Sequence, residues 1–165
     1  MRAGLSLDVH PSGKQVAVGD AGGVVRVGDL ETAQTLHAAA AHEKPVRGLS
    51  YLPADPSLLL SASDDGSVAL LDAQHAAAPV ASFEHRTASH QPSPVLAVAA
   101  HPSAHSFATA AADGSVRVWD LSTRKCLHAF HAAHSGPAWS LAYNPQGTRL
   151  VSVGADSELV LYAVA

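Results

Sequence analysis

Short runs of alternating apolar and polar residues recur along the chain, separated by turn-forming pairs. Val116 and Val118 alternate with Ser115 and Arg117, and Val68 and Leu70 repeat the period of two one unit earlier. A period of two is the mark of a half-buried strand. The separators are Ser12-Gly13, Asp65-Gly66, Asp113-Gly114 and Gln146-Gly147, residue types that supply tight turns. Helical periodicity is weak throughout. The alanine-rich stretch 37–42 is too short for a stable helix and reads as an outer strand running into a loop. The pattern predicts strands at 45–51, 58–63, 67–72 and 79–83, and again at 94–100, 106–110, 115–120 and 126–130.

The runs repeat in one frame. A proline closes the first strand of each unit at Pro11, Pro53, Pro102 and Pro145, with spacings of 42, 49 and 43 residues. An Asp stands in the turn between second and third strands at Asp65, Asp113 and Asp156, and a His precedes the first strand at His42, His90 and His134. The third unit also closes its third strand with Trp119-Asp120. A strand ending in Trp-Asp after an Asp-Gly turn, at a period of roughly 40–45 residues, is the signature of a WD-repeat blade. The expected fold is therefore all-β: one WD-repeat β-propeller domain over 1–165. Four blades are expected, at about 3–41, 42–85, 90–133 and 134–165. The first unit is degenerate, with Ala21-Gly22-Gly23 at the turn and Gly28-Asp29 in place of Trp-Asp. In the last, the third strand is followed only by Ala163-Val164-Ala165, so its outer strand is expected to be missing.

The third unit carries His90, Thr109, Asp113 and Trp119. A turn carboxylate can accept from an imidazole and from nearby N–H groups. The imidazole can reach a strand hydroxyl, and the hydroxyl can accept from an indole N–H. His42, Ser61 and Asp65 repeat the set in the second unit, with Leu71 for Trp. His134, Ser152 and Asp156 repeat it in the fourth, with Tyr162 for Trp. A Ser/His/Asp catalytic site is the competing reading. The set recurs in successive units, whereas an active site is single, so these residues are read as structural.

The remaining chemistry narrows the function classes. The chain has 165 residues and a formal net charge of −4, with only 10 Lys and Arg and no basic run, so no direct nucleic-acid partner is expected. No apolar run approaches the ~18 residues of a membrane span, and Met1-Arg2-Ala3-Gly4 lacks the apolar core of a secretory signal. The single cysteine, Cys126, rules out an internal disulfide and fits a reducing compartment. It reads as a buried or half-buried inert thiol. His128, His131 and His134 are spaced by three, which on a strand alternates faces and argues against a metal site. Gly19–Gly23 lacks the ending of a phosphate-binding loop. No catalytic residue, cofactor, metal or small-molecule substrate is expected.

Leu5, Arg47, Leu96 and Trp139 each stand six residues before a frame proline, the position that lines the rim of a propeller's central channel. Trp and Arg are the residue types most frequent at binding hot spots. Asp64, just before a turn Asp, lies near the same face and is expected to pair with an incoming Arg or Lys.

The segments Ser61–Gly66, Leu71–Ala76, Val116–Asp120, Thr123–His128 and Val151–Asp156, with the rim series, resemble the C-terminal part of the superkiller (Ski) complex WD-repeat subunit. The similarity covers essentially the whole chain. It implies a non-catalytic scaffold of the Ski complex, which feeds cytoplasmic RNA to the exosome, and of the PAF transcription-elongation complex. The implied partners are the tetratricopeptide-repeat scaffold and helicase of the Ski complex and PAF subunits. The implied locations are nucleus and cytoplasm. Arg47, Leu96 and Trp139, with Leu5 a weaker member, would dock partner segments. The alternative is a generic WD-repeat adaptor such as a ubiquitin-ligase substrate receptor. The resembling family has seven blades and this chain about four. The expectation is an open arc, a fragment of the full ring or a short homologue, that aggregates or pairs with another copy.

Overall fold

The computed structural model describes residues 3–75, 78–87, 89–103 and 105–164. Its strands are β1 (Gly4–Val9), β2 (Gln15–Asp20), β3 (Val24–Asp29), β4 (Thr35–Ala40), β5 (Val46–Tyr51), β6 (Leu58–Ser63), β7 (Ser67–Asp72), β8 (Ala81–Glu84), β9 (Val95–Ala100), β10 (Ser106–Ala111), β11 (Val116–Asp120), β12 (Cys126–Phe130), β13 (Ala138–Tyr143), β14 (Arg149–Gly154) and β15 (Leu159–Ala163). No helix occurs among the described residues. Consecutive strands pair antiparallel into four sheets: β1 to β4, β5 to β8, β9 to β12, and β13 to β15. We number them sheets 1 to 4. The innermost strands β1, β5, β9 and β13 lie side by side in that order. This is an open, partial β-propeller.

Alternation decides which side chains meet between sheets. On β3, Val25 and Val27 are buried while Val24 and Arg26 are only partly covered. Val25 and Val27 join Ala17 and Ala39 against Leu49, Tyr51, Leu59 and Leu71 of sheet 2. The next contact sets Leu60, Ala62, Val68, Leu70 and Phe83 against Val95, Val98, Phe107 and Trp119. The Phe83 and Phe107 rings meet edge to face at 4.8 Å. The third sets Ala108, Ala110, Val116 and Val118 against Ala138, Leu141, Leu150 and Tyr162. Three apolar layers, one between each pair of neighbours, make up the core.

The frame prolines fall two residues past each inner strand. The residue before each one anchors the corner: His10, Leu52, His101 and Asn144 donate their N–H groups to Gln15, Leu58, Ser106 and Arg149 carbonyls at 2.9–3.1 Å. The turn glycines Gly23, Gly66 and Gly114 have φ of +82°, +85° and +77°, a region L side chains avoid. Space forbids a side chain as well. A Cβ on Gly114 would lie 2.3 Å from the His134 carbonyl oxygen, and one on Gly23 2.0 Å from that of His42.

Sheet 4 has three strands among the described residues. The outer strand β12 exposes Cys126, so the expectation of a covered thiol fails: an outermost strand has no neighbour over its edge. The thiol donates to the His128 carbonyl at 3.2 Å, and local desolvation pushes its pKa up.

Candidate functional site: the stitched turns and the groove at the inner strands

A histidine follows the outer strand of sheets 1, 2 and 3 and is fixed by a backbone bond. His42, His85 and His134 donate N–H to the carbonyls of Gly23, Gly66 and Gly114 at 3.0, 2.8 and 3.0 Å. Each ring then lies over the next sheet. The His42 Nδ1 meets Asp65 Oδ2 at 2.9 Å and its Nε2 meets Ser61 Oγ at 2.8 Å. His134 makes the same two contacts, with Asp156 at 3.0 Å and Ser152 at 2.7 Å, and Ser152 goes on to the Tyr162 hydroxyl at 2.9 Å. Burial pushes the Asp65 carboxyl up, but hydrogen bonds from His42 and Ser67, with the His42 charge, outweigh it and hold it at about 2.

In the third sheet the stitching residue is His85, a correction to the expectation for His90. His85 Nε2 lies 2.9 Å from Ser115 Oγ and 3.7 Å from Asp113 Oδ1. Its Nδ1 lies 3.4 Å from Thr109 Oγ1, which accepts from Trp119 Nε1 at 3.0 Å. A neutral ring with its proton on Nε2 serves all these contacts: Thr109 donates to Nδ1, and Nε2–H donates to Ser115. Burial drives its pKa from 6.5 to about 4, helped by Arg117 and His131 and opposed by Asp113. His90 sits in an exposed loop with φ of +63°, where its carbonyl accepts from Arg86. The reason is an insertion. The second-to-third unit spacing is the longest of the three, and the extra residues lie after the histidine, between Arg86 and Pro92, which bridge across the loop. Placing the His just before the first strand picked the wrong ring. Counting forward from the turn glycines Gly23, Gly66 and Gly114 finds His42, His85 and His134, at 19, 19 and 20 residues.

The first sheet is held by a pair the sequence pattern missed. Buried Asp20 accepts from Gly22 and Val24 N–H at 2.8 and 3.1 Å and from Arg26 Nη1 at 2.6 Å. Burial raises this carboxyl, and Arg26 and the two N–H groups more than offset it, so its pKa is lowered. Asp20, earlier in the chain, caps the Val24 N–H, the counterpart of the Ser67 and Ser115 N–H groups that the turn Asp caps in sheets 2 and 3. A paired Arg at the centre of the third strand was the available signal.

Above the inner strands lies an open groove of ≈ 650 Å³. It brings together Arg47, Asp64, Leu96 and Trp139, with Lys44 and Pro137. The inner strands bring the rim residues side by side because β5, β9 and β13 are neighbours. Trp139 is 55% exposed, a rare condition for an indole. Leu5 does not line this groove. It borders a separate shallow depression with Gly4, Ser6, Leu7 and Val18, because β1 lies one sheet further round the arc. Asp64 already has a cation: Arg47 Nε and Nη2 grip its carboxylate at 2.7–3.0 Å. The expectation that Asp64 awaits an incoming Arg is corrected to a pair within the chain. The pairing follows from Asp64 donating its N–H to the Pro45 carbonyl, which sets it beside Arg47. Hydrogen bonding to Asp64 raises the Arg47 pKa.

Four stitched sheets with an open groove that carries one exposed indole define a repeat propeller rather than a pocket built around one reaction. The chain matches the family described as WD domain, G-beta repeat, over residues 33–72, 79–120 and 124–162, and it belongs to that family. Each matched stretch joins the outer strand of one sheet to the three inner strands of the next. The sequence unit thus straddles two sheets, and the chain itself ties neighbours together.

The chain is similar to WD repeat-containing protein 90 of Mus musculus, 32% identical over 129 residues, 78% of this chain and 6% of that protein. Pre-mRNA-processing factor 19 of Bos taurus is 30% identical over 138 residues, 84% of this chain and 26% of that protein. Ribosome biogenesis protein YTM1 of Laccaria bicolor is 29% identical over 140 residues, 85% of this chain and 30% of that protein. The chain therefore spans less than a third of each of these relatives.

Proposed function

We propose that this protein is a non-catalytic protein-interaction scaffold that grips a short peptide segment in the groove above β5, β9 and β13. The observation that carries the reading is Trp139, exposed in a groove with Leu96 on one side and the Arg47–Asp64 pair on the other. An apolar partner side chain packs on the indole and Leu96, and the rigid Arg47–Asp64 pair offers donors and acceptors to the partner's backbone. Lys44 adds one positive charge at the edge, favouring a segment with an acidic residue. Large aromatic and Arg side chains carry most of the binding energy at such surfaces. Relatives named for ribosome biogenesis and pre-mRNA processing support a scaffold role and a nuclear working place.

The finer reading is a Ski and PAF complex subunit, binding tetratricopeptide and helicase subunits in nucleus and cytoplasm. It rests on the resembling segments and the rim residues alone, and the relatives named above add nothing to it.

Selecting peptides from a displayed library against the chain tests the groove. Trp139→Ala and Arg47→Glu are expected to abolish capture of the selected peptides while the circular dichroism spectrum stays that of the parent. Unchanged capture by both variants would overturn the reading. Affinity purification with mass spectrometry then separates the finer alternatives, Ski helicase and tetratricopeptide subunits on one side, ubiquitin-ligase subunits on the other.

A further inference from the structure

An Arg stands three residues before a Ser at three places in the sequence: Arg47 before Ser50, Arg86 before Ser89 and Arg149 before Ser152. The fold treats the three hydroxyls differently. Ser50 lies within β5, half-buried, and its hydroxyl accepts from the Ala100 N–H of β9 at 3.1 Å. Ser152 lies within β14, buried, and is taken up by His134 and the Tyr162 hydroxyl. Ser89 is exposed, in the inserted loop between β8 and β9.

That loop has a fixed root and a tip that closes on itself. At the root, Arg86 and Pro92 bridge. Buried Arg117 of β11 donates to the Arg86 carbonyl, and Ser93 donates its N–H to the His85 carbonyl at 3.0 Å. At the tip, Thr87 N–H meets the Gln91 carbonyl at 2.8 Å and His90 N–H the Thr87 carbonyl at 2.9 Å. Gln91 N–H also donates to Thr87 Oγ1 at 3.2 Å, and the Ser89 and Thr87 hydroxyls lie 2.9 Å apart. These tip bonds stay within the loop, so opening it leaves every sheet paired. The Arg86 guanidinium lies along the same loop. Its Nη1 donates to the His90 carbonyl at 3.1 Å, and its Nε and Nη2 hold Glu84 Oε2 at 2.8 Å. An exposed pair of that kind contributes little and yields to a stronger anion.

We propose that Ser89 is a phosphorylation site, modified by a serine kinase that reads an Arg three positions before its acceptor. A kinase draws the acceptor segment into its cleft. Exposure and cheap local opening therefore decide between equal spacings, and both favour a loop tip over a paired strand. In the transfer the Ser89 oxygen bonds the γ-phosphorus of ATP. The bond from that phosphorus to the β–γ bridging oxygen breaks, ADP leaves, and the hydroxyl proton passes to the base of the kinase. The product carries a charge of about −2 and three strong acceptor oxygens. Arg86 then leaves Glu84 and clamps the phosphate through charge-assisted hydrogen bonds. One side chain thus serves first as the mark the kinase reads and then as the anchor of the product. The site rests on this loop alone and is independent of peptide binding.

The folded 165-residue chain, incubated with the catalytic subunit of cAMP-dependent protein kinase, magnesium and ATP, is expected to gain one phosphate by intact-mass spectrometry. Fragmentation should place it on Ser89, and Ser89→Ala should abolish the gain. Arg86→Ala should slow the transfer by about tenfold or more, the loss of one charge-assisted pair with the kinase, and Arg86→Lys should restore part of the rate. Phosphorus NMR of the modified chain should show the second phosphate ionisation at lower pH in the folded chain than in urea, which reads the clamp.

Failure of the folded chain to gain phosphate would overturn the proposal, whether or not a peptide spanning 84–92 is modified. So would phosphate on Ser50, Ser152 or Thr87 in place of Ser89. A rate unchanged in Arg86→Ala would remove Arg86 from recognition, and equal ionisation in both states would remove the clamp.

Discussion

Sheets 2 and 3 and sheets 1 and 4 are built from the same repeat, yet their burial differs sharply. β6 and β11 bury nearly every residue on both faces. β1 buries none fully, and β15 buries only Tyr162. A sheet with neighbours on both sides uses both faces of its alternation, and a terminal sheet uses one. The lesson is that the repeat is not a self-sufficient unit. Stability resides in contacts between sheets, and the strands look alike in sequence whether or not their faces are covered.

The largest test of this contrast is truncation in the middle against truncation at an end. Phe107 is fully buried between Phe83 and Trp119. Phe107→Ala should cost about 3–5 kcal/mol, read by urea unfolding. Leu5→Ala, on β1, should stay within about 0.5 kcal/mol. Equal losses would mean that the end sheets carry as much of the fold as the middle ones.

Acid sharpens the same contrast because the middle layer holds a histidine that must stay neutral. The pKa of His85 is depressed from 6.5 to about 4, first by burial and then by Arg117. Between those values the unfolded chain binds the proton and the folded chain does not. The contribution is therefore full above pH 6.5 and is lost as pH falls toward 4, at most roughly 3 kcal/mol from this one group. Asp65, held at about 2 against an ordinary 3.8, adds a further loss only below pH 3.8. Thermal unfolding followed across this range should show the first fall, and His85→Gln should flatten it. A slope unchanged in His85→Gln would remove this ring from the account.

Substitution of the two candidate histidines ranks next. His85→Ala leaves Ser115 and Thr109 without their ring partner in a buried site and should cost about 2 kcal/mol. His90→Asn, which tolerates the left-handed backbone, should stay within about 0.5 kcal/mol. The reverse order would restore His90 to the network.

How legible the fold was depends on which physical signal each residue carries. In sheets 2 and 3 the expected strands agree with the observed ones to within a residue or two, because alternation and Asp-Gly turns are local. The insertion between Arg86 and Pro92 was visible as a longer repeat, but its side of the histidine was not. That depends on where the outer strand ends, and β8 has only 4 residues to announce it. Asp20–Arg26 escaped because it replaces the turn Asp with a carboxylate outside the frame. At the groove, Arg47, Asp64, Leu96 and Trp139 were all singled out from position. The bond between Arg47 and Asp64 was not, since it requires the backbone register that sets Asp64 beside Arg47. Leu5, singled out by the same position, lies on β1 beside a different depression.

The smallest effects separate a stitched hydroxyl from an unstitched one within the same end sheet. Tyr162 hydrogen-bonds Ser152, which holds His134. Tyr143 packs edge to face on His101 at 5.0 Å, but its buried hydroxyl meets no hydrogen-bond partner among the described residues. Burial pushes its pKa up to about 12, as expected for a phenol that must stay neutral. Tyr162→Phe should cost about 1 kcal/mol, the net worth of one hydrogen bond. Tyr143→Phe should cost under ~0.5 kcal/mol and can stabilise, because it removes a polar atom that gains nothing by being buried. Unfolding the two variants in parallel gives a difference that packing cannot produce, since both keep the ring. If Tyr143→Phe proves the costlier, the polar chain from Asp156 to Tyr162 is not what holds the last sheet in register.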